Sequence, residues 1–157
     1  MSKYCGIPKE DLRLKEKIAS TPSGDTFKGI WQNSVIVAKF INLGQDPSEA
    51  TIRRATNSFV DEFPKLRIFS HPNILPVLGG ANDSPNLIVV SQFMENGTLY
   101  SVLHEKASLM IDQVQAIKFA IDVARGMAFL HTLNLDILDR YQLNSKHVYV
   151  SERRVFG

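Results

Sequence analysis

Cysteine is nearly absent. Cys5 is the single one in 157 residues, so no disulfide can form within the chain and a reducing compartment is implied. An excess of one charge is also lacking. The net charge is +2 with no long basic run, which removes support for a nucleic-acid surface. Lys3, Lys9, Lys15 and Lys17 are interleaved with acids and read as solvated. No stretch approaches about 18 uninterrupted apolar residues, the N-terminus has no signal-like apolar core, and glycine does not follow Met1. Membrane insertion is therefore not expected, and the chain reads as cytoplasmic, with any attachment made through partners. What is present is 44% hydrophobic content, enough at this length for one core.

The most informative stretch is residues 35–41, Val-Ile-Val-Ala-Lys-Phe-Ile. It is too short for a typical helix and rich in strand formers, so it reads as a buried strand. Lys39 then shares a face with Val35, Val37 and Ile41, where an unpaired ammonium is costly and an anionic partner is expected. From this run alone, a lysine snorkelling from a strand end remains the plain alternative.

Upstream, the alternation of Leu12, Leu14 and Ile18 suggests a strand interrupted by Glu16, and residues 19–24 read as a turn. Residues 25–31 form a second strand, with Phe27 and Trp31 on one face and Thr26 and Ile30 on the other. A turn over 32–34 completes an antiparallel meander. Downstream, Asp46, Pro47 and Glu49 have the chemistry of a helix start, with Asp46 as cap and Glu49 closing a capping box. Ile52, Ala55, Phe59, Glu62 and Leu66 then fall on one helical stripe, which places Glu62 toward the protein; Pro64 should kink or loosen the last turn.

His71-Pro72-Asn73 marks a turn, and residues 74–78 and 87–90 read as strands joined by a polar loop over 81–86. Thr98 is the expected cap of a short helix carrying Leu99, Val102 and Leu103. Asp112 starts a longer one. Its stripe of Val114, Ile117, Ile121, Ala124 and Ala128 is broadened by Phe119, Ala120, Val123 and Met127, so burial on several sides is expected. The fold class is α+β: a five-stranded antiparallel sheet with one helix over residues 1–94, then a helical part over 95–157.

The order of Ile36-Val37-Ala38-Lys39, a helix with Glu62, His71-Pro72-Asn73, Ser91-Gln92-Phe93-Met94, Gly97-Thr98-Leu99 and residues 126–131 resembles a protein kinase. A strand lysine paired with a helix glutamate is a kinase signature. The phrases Gly29-Ile30-Trp31-Gln32, residues 66–73 and residues 126–132 resemble the integrin-linked kinase family in particular. That resemblance implies an N-lobe with its αC helix and a partial C-lobe cut before the D-F-G region, with part of the Ile117, Ile121 and Phe119 surface left bare for want of the later C-lobe helices. It also implies a pseudokinase scaffold, with parvin, PINCH and integrin tails as partners of the full-length family, at cell-matrix adhesions or muscle attachment sites. No ankyrin repeat of that family occurs in this sequence.

The resemblance further implies where a nucleotide would sit: against Ile18, Ser23, Thr26, Val37, Lys39, Glu62, Ser91, Gln92 and Met94, with Val90 as another wall. Departures from an active kinase are physical. The three glycines of G-x-G-x-x-G fall on Ala19, Thr21 and Gly24, so only the last survives, and Pro22 removes an amide donor. Tyr141 stands at the position of the catalytic base, and a phenol with a pKa near 10 stays protonated at neutral pH. The metal-binding asparagine falls on His147 or Lys146, neither a good magnesium ligand, with Asn144 as a substitute in a shifted register. Val155-Phe156-Gly157 reads as a hairpin strand rather than a metal-binding motif. ATP held weakly and with little use of magnesium is the expected cofactor, and no catalytic residue is assigned. A piece of an active ATP-dependent protein serine/threonine kinase is the alternative.

Overall fold

Strand chemistry dominates the first ninety residues, and the computed structural model resolves it into five strands. It describes residues 6–22, 24–68, 70–83, 85–106, 110–133, 143–151 and 155–156, without the side chains of 62–68 and 155–156. β1 (Arg13–Thr21), β2 (Gly24–Trp31), β3 (Ser34–Ile41), β4 (Val77–Asp83) and β5 (Asn86–Gln92) form one antiparallel sheet in the order β1-β2-β3-β5-β4. α1 (Glu49–Ile68) lies between β3 and β4 in the chain. α2 (Leu99–His104), α3 (Gln113–Thr132) and the two-residue strands β6 (Tyr149–Val150) and β7 (Val155–Phe156) follow. The chain divides into two compact units, residues 1–69 with 76–93 and residues 70–75 with 94–157. The His71-Pro72-Asn73 turn thus groups with the second.

Alternation along β3 decides where the core of the first unit lies. Ile36 and Ala38 are fully buried, whereas Val35 is 46% exposed and Val37 and Lys39 are only partly covered. The core face is therefore the one opposite Lys39, a correction to the expectation that the lysine lay among buried residues. Ile88 and Val90 on β5 and Ala81 on β4 complete that core. Ile7 and Leu12, from a strap ahead of β1, close over it. The strap is tied down by Ile7 N donating to Gly80 O at 2.8 Å and by an ion pair of Lys9 with Asp83. Each large side chain fully buried here contributes about 1.5–3 kcal/mol.

Several boundaries differ from the sequence reading for local reasons. β1 runs on to Thr21 through two bulges, so the expected turn over 19–24 shrinks to two residues. β4 starts at Val77 rather than 74 because Ile74 N donates to His71 O at 3.1 Å in the preceding turn. The expected polar loop over 81–86 is mostly strand, since Asn82 pairs with Leu87 and Asp83 with Asn86 across a two-residue turn. Asp46 adopts a left-handed φ of 44° and does not cap α1. Ser48 does, its Oγ accepting from Thr51 N at 3.2 Å, so Glu49 is the first helical residue and closes no box. The helix continues through Pro64. Its half-buried positions among the described side chains are Ile52, Ala55, Thr56 and Phe59.

In the second unit Thr98 caps α2 as expected, and Asp112, at the expected start of α3, is its cap. Thr98 Oγ1 accepts from Ser101 N at 3.2 Å, and Asp112 forms a full capping box with Gln115. Val102, Val148 and Val150 form a small core with Leu99, Ile111, Phe119 and Val123 packed on it. Ile117 and Ile121 are bare, as expected of part of the α3 stripe, whereas Phe119, expected to be bare with them, packs on the small core. Val114, Ile117 and Ile121 are 61%, 62% and 44% exposed, and the covered side carries Phe119, Val123 and Gly126. Apolar content alone did not distinguish the two sides of so apolar a helix. Gly126 is the contact point for the 70–75 segment: a Cβ there would lie 2.9 Å from Asn73 O. His71 stacks on Phe129 with centroids 4.9 Å apart, and its Nδ1 accepts from Asn73 N at 3.0 Å. β7 pairs with β6, as a hairpin strand should.

These packing assignments predict a contrast in chemical denaturation. Ile36→Ala should cost about 2–5 kcal/mol, and Gly126→Ala about 1–3 kcal/mol through the clash with Asn73. Ile117→Ala should stay within about 0.5 kcal/mol of the unmodified chain.

Candidate functional site

The sheet register brings one set of the expected site residues together. Thr26 pairs with Lys39, Lys28 with Val37, Lys39 with Val89, and Val37 with Ser91. Thr26, Val37, Lys39 and Ser91 thus share the face opposite the core, and all four are partly exposed. Val89, not Val90, lies on that face; Val90 has no exposed surface and belongs to the core. Lys28 adds a second cation, its ammonium 4.3 Å from the centroid of Phe93. Such a face can offer an ammonium and a hydroxyl to an anion beside small apolar side chains.

Lys39 is the chemically distinctive member. Partial burial strips water from its ammonium and holds its pKa below the ordinary 10.5. Among the described side chains none pairs with it. The expected partner Glu62 lies on α1, but its side chain is outside the described residues.

Other expected residues stand apart. Ile18 sits 45% exposed in the bulge between Lys17 and Ala19. Gln92 pairs with Ile36 and is therefore on the opposite face, and its side chain is exposed. Met94 belongs to the second unit, where its carbonyl accepts from Gly97 N at 3.0 Å. Ser23 and Tyr141 lie outside the described residues.

Gly24, the surviving glycine of the loop, is required for packing. Its φ is +143°, and a Cβ would fall 1.7 Å from Phe40 O. In the second unit the positions assigned to the metal-binding asparagine carry other duties. The Lys146 ammonium lies 4.7 Å from the Tyr100 ring centroid, and Asn144 Oδ1 accepts from Lys146 N at 2.9 Å. His147 N donates to Asn144 O at 3.0 Å, which closes the turn. Among the described residues no group of three or more His, Cys, Asp or Glu side chains could hold a metal.

A family model described as protein tyrosine and serine/threonine kinase matches residues 12–153. The chain belongs to the protein kinase family. Among curated relatives, the integrin-linked protein kinase homolog pat-4 of Caenorhabditis elegans is 47% identical over 152 residues, covering 97% of this chain and 31% of the relative. The scaffold protein ILK of Mus musculus is 44% identical over 154 residues, covering 97% and 33%. The serine/threonine-protein kinase CTR1 of Arabidopsis thaliana is 32% identical, covering 94% and 17%. The chain spans about a third of the length of its two integrin-linked relatives. The kinase-like fold therefore carries the expected five-stranded sheet and αC-like helix, with the similarity to integrin-linked kinases extending over nearly the whole chain.

Sequence reading missed the polar contacts at the β1–β2 tip, made by Lys17, Ser20, Asp25 and Asn42. The available signals were a serine and an aspartate flanking a Pro-Ser turn, and an asparagine two residues ahead of Gly44.

Because the folded pKa of Lys39 is lowered, the unfolded chain binds more protons between that value and 10.5, and stability rises with pH across that window. The cost of the charged lysine is fully present below the folded pKa. Lys39→Met should therefore melt higher than the unmodified chain at pH 7, and the gap should close as pH rises from the folded pKa toward 10.5. A lower melting point at pH 7 would reveal a paired ammonium. Gly24→Ala should cost more than the backbone strain of about 1–3 kcal/mol, because its Cβ also runs into Phe40 O.

Proposed function

We propose that this chain is the kinase-like part of an adhesion scaffold, able to hold ATP at the Lys39 face and unable to transfer its phosphate efficiently. The observation that carries the reading is identity of 44–47% to an integrin-linked kinase homolog and a scaffold protein across nearly the whole chain. Tyr141 at the base position agrees with it. The adenine edge would pair with the backbone at Gln92, which needs no particular side chain. Lys39 would meet the phosphates, Thr26, Val37 and Ser91 would line the face, and Glu62 would orient the lysine. Magnesium would add little, because the expected asparagine is replaced and Lys146 and Asn144 serve the local turn.

As part of a longer protein of this family, the chain would work in the cytoplasm at cell-matrix adhesions or muscle attachment sites. Parvin, PINCH and integrin tails are the partners proposed for the whole protein. Among the described residues, no helix is long and apolar enough to cross a membrane. The second reading, a piece of an active serine/threonine kinase, is favoured by the retained Lys39 and by relatives such as the plant serine/threonine-protein kinase.

Phosphate transfer from labelled ATP to a generic protein substrate separates the two, with Lys39→Met as the contamination control. No transfer above that control is expected, since a positioned base contributes about 10²–10⁴ in rate. Activity lost in the control would instead establish the enzyme. A thermal shift with millimolar ATP, little changed by magnesium, should report the ligand; no shift would remove nucleotide from the reading.

A further inference from the structure

The β1–β2 tip occupies the place of a phosphate-covering loop, yet it is built as a closed hairpin. Ser20 pairs with Asp25 and Thr21 with Gly24, so the ladder continues to the two-residue turn. Asp25 accepts from Ser20 Oγ at 2.6 Å through Oδ1 and takes the Lys17 ammonium at 3.0 Å through Oδ2. Thr21 Oγ1 donates to Gly24 O at 3.1 Å. A further bond comes from outside the hairpin: Asn42, the residue after β3, donates from Nδ2 to Pro22 O at 3.1 Å. Gly44 N donates to the other end of that carboxamide, Oδ1, at 2.9 Å, which fixes its orientation. Gly24 itself pairs with Ile41, two residues along β3 from Lys39.

We propose that Asp25, which braces β2 against β1, and Asn42, which reaches the tip from the end of β3, form a clasp that holds this tip shut, so that an anion at Lys39 meets the lysine without the tip closing over it. The role toward an anion rests on the nucleotide reading above. A loop that wraps phosphates must move its backbone amides onto the oxygens. Here the carbonyl of Pro22 is already engaged by Asn42, and on the face opposite Lys39 Asp25 ties Ser20 and Lys17 of β1 to β2. Asp25 and Asn42 are positioning residues: each acts on the ligand through the tip.

Two measurements on the full chain test the clasp. Asn42→Asp keeps the acceptor for Gly44 N and removes the donor to Pro22; combined with Asp25→Ala it opens both ends. Hydrogen exchange in residues 19–25 should become about tenfold faster, as expected for losing a few modest hydrogen bonds, with β5 exchange unchanged. The ratio of ATP to adenosine affinity should then grow at least about threefold, because the freed tip can reach the phosphates. Unchanged exchange in the tip, or faster exchange without any gain in that ratio, overturns the clasp. Should the double variant lose protection throughout β5, the isosteric Asn42→Asp chain alone is read by the same criteria. Failure of both ligands to bind either protein rejects the nucleotide reading and with it the anion-withholding role, whereas binding with an unmoved tip rejects the clasp alone.

Discussion

Side-chain alternation along β3 is the constraint on which the first unit depends. Seating Ile36 and Ala38 in the core turns Val37 and Lys39 to the other face, because successive residues of a strand point opposite ways. A slip of one residue would bury the ammonium and expose the isoleucine, which is why the register is strongly specified. Pairing then propagates the choice sideways: Thr26 is set by Lys39 and Ser91 by Val37. The candidate site is thus a consequence of the core on the opposite face. The strap that supplies Ile7 and Leu12 supports that site at a distance by covering the core behind it.

Motifs that look catalytic in a kinase-like sequence do structural work in this chain. Gly24 is demanded by the close approach of Phe40 O, whatever an anion would require. Gly126 and the His71-Pro72-Asn73 turn are two halves of one contact, closed by the stacking of His71 on Phe129. The Asn144 turn is held by its own side chain and followed by a lysine resting on an aromatic ring. Packing alone accounts for residues of these types at these positions, so their presence does not require kinase chemistry. The tip contacts extend the same logic, since polar side chains that close a hairpin leave less of it for a ligand.

Much of the fold was legible in the sequence because its signals are local. The meander, the cap at Thr98, the helix start at Asp112 and the helix bearing Glu62 follow from alternation, turn residues and helical spacing that neighbouring residues alone produce. Misplaced features had competing local solutions. Asp46 and Ser48 can both cap, and the left-handed backbone at Asp46 decides for Ser48. Asn82 and Asp83 suit a loop, yet pairing with Leu87 and Asn86 makes them strand. On α3 both sides are apolar, and the valines at 102, 148 and 150 determine which is covered.

By itself the sequence determined the kind of protein: the ordered fragments from Lys39 to residue 131, the missing glycines at 19 and 21, and the tyrosine at 141 are all properties of residue identity and spacing. Tertiary structure alone decided which face of β3 is buried, that Val89 rather than Val90 neighbours the lysine, and that Asn42 reaches Pro22 across the end of the sheet. Those outcomes depend on strand register and on contacts between residues far apart in the chain. Their energies exist only once the strands are side by side, so no local pattern of residues could carry them.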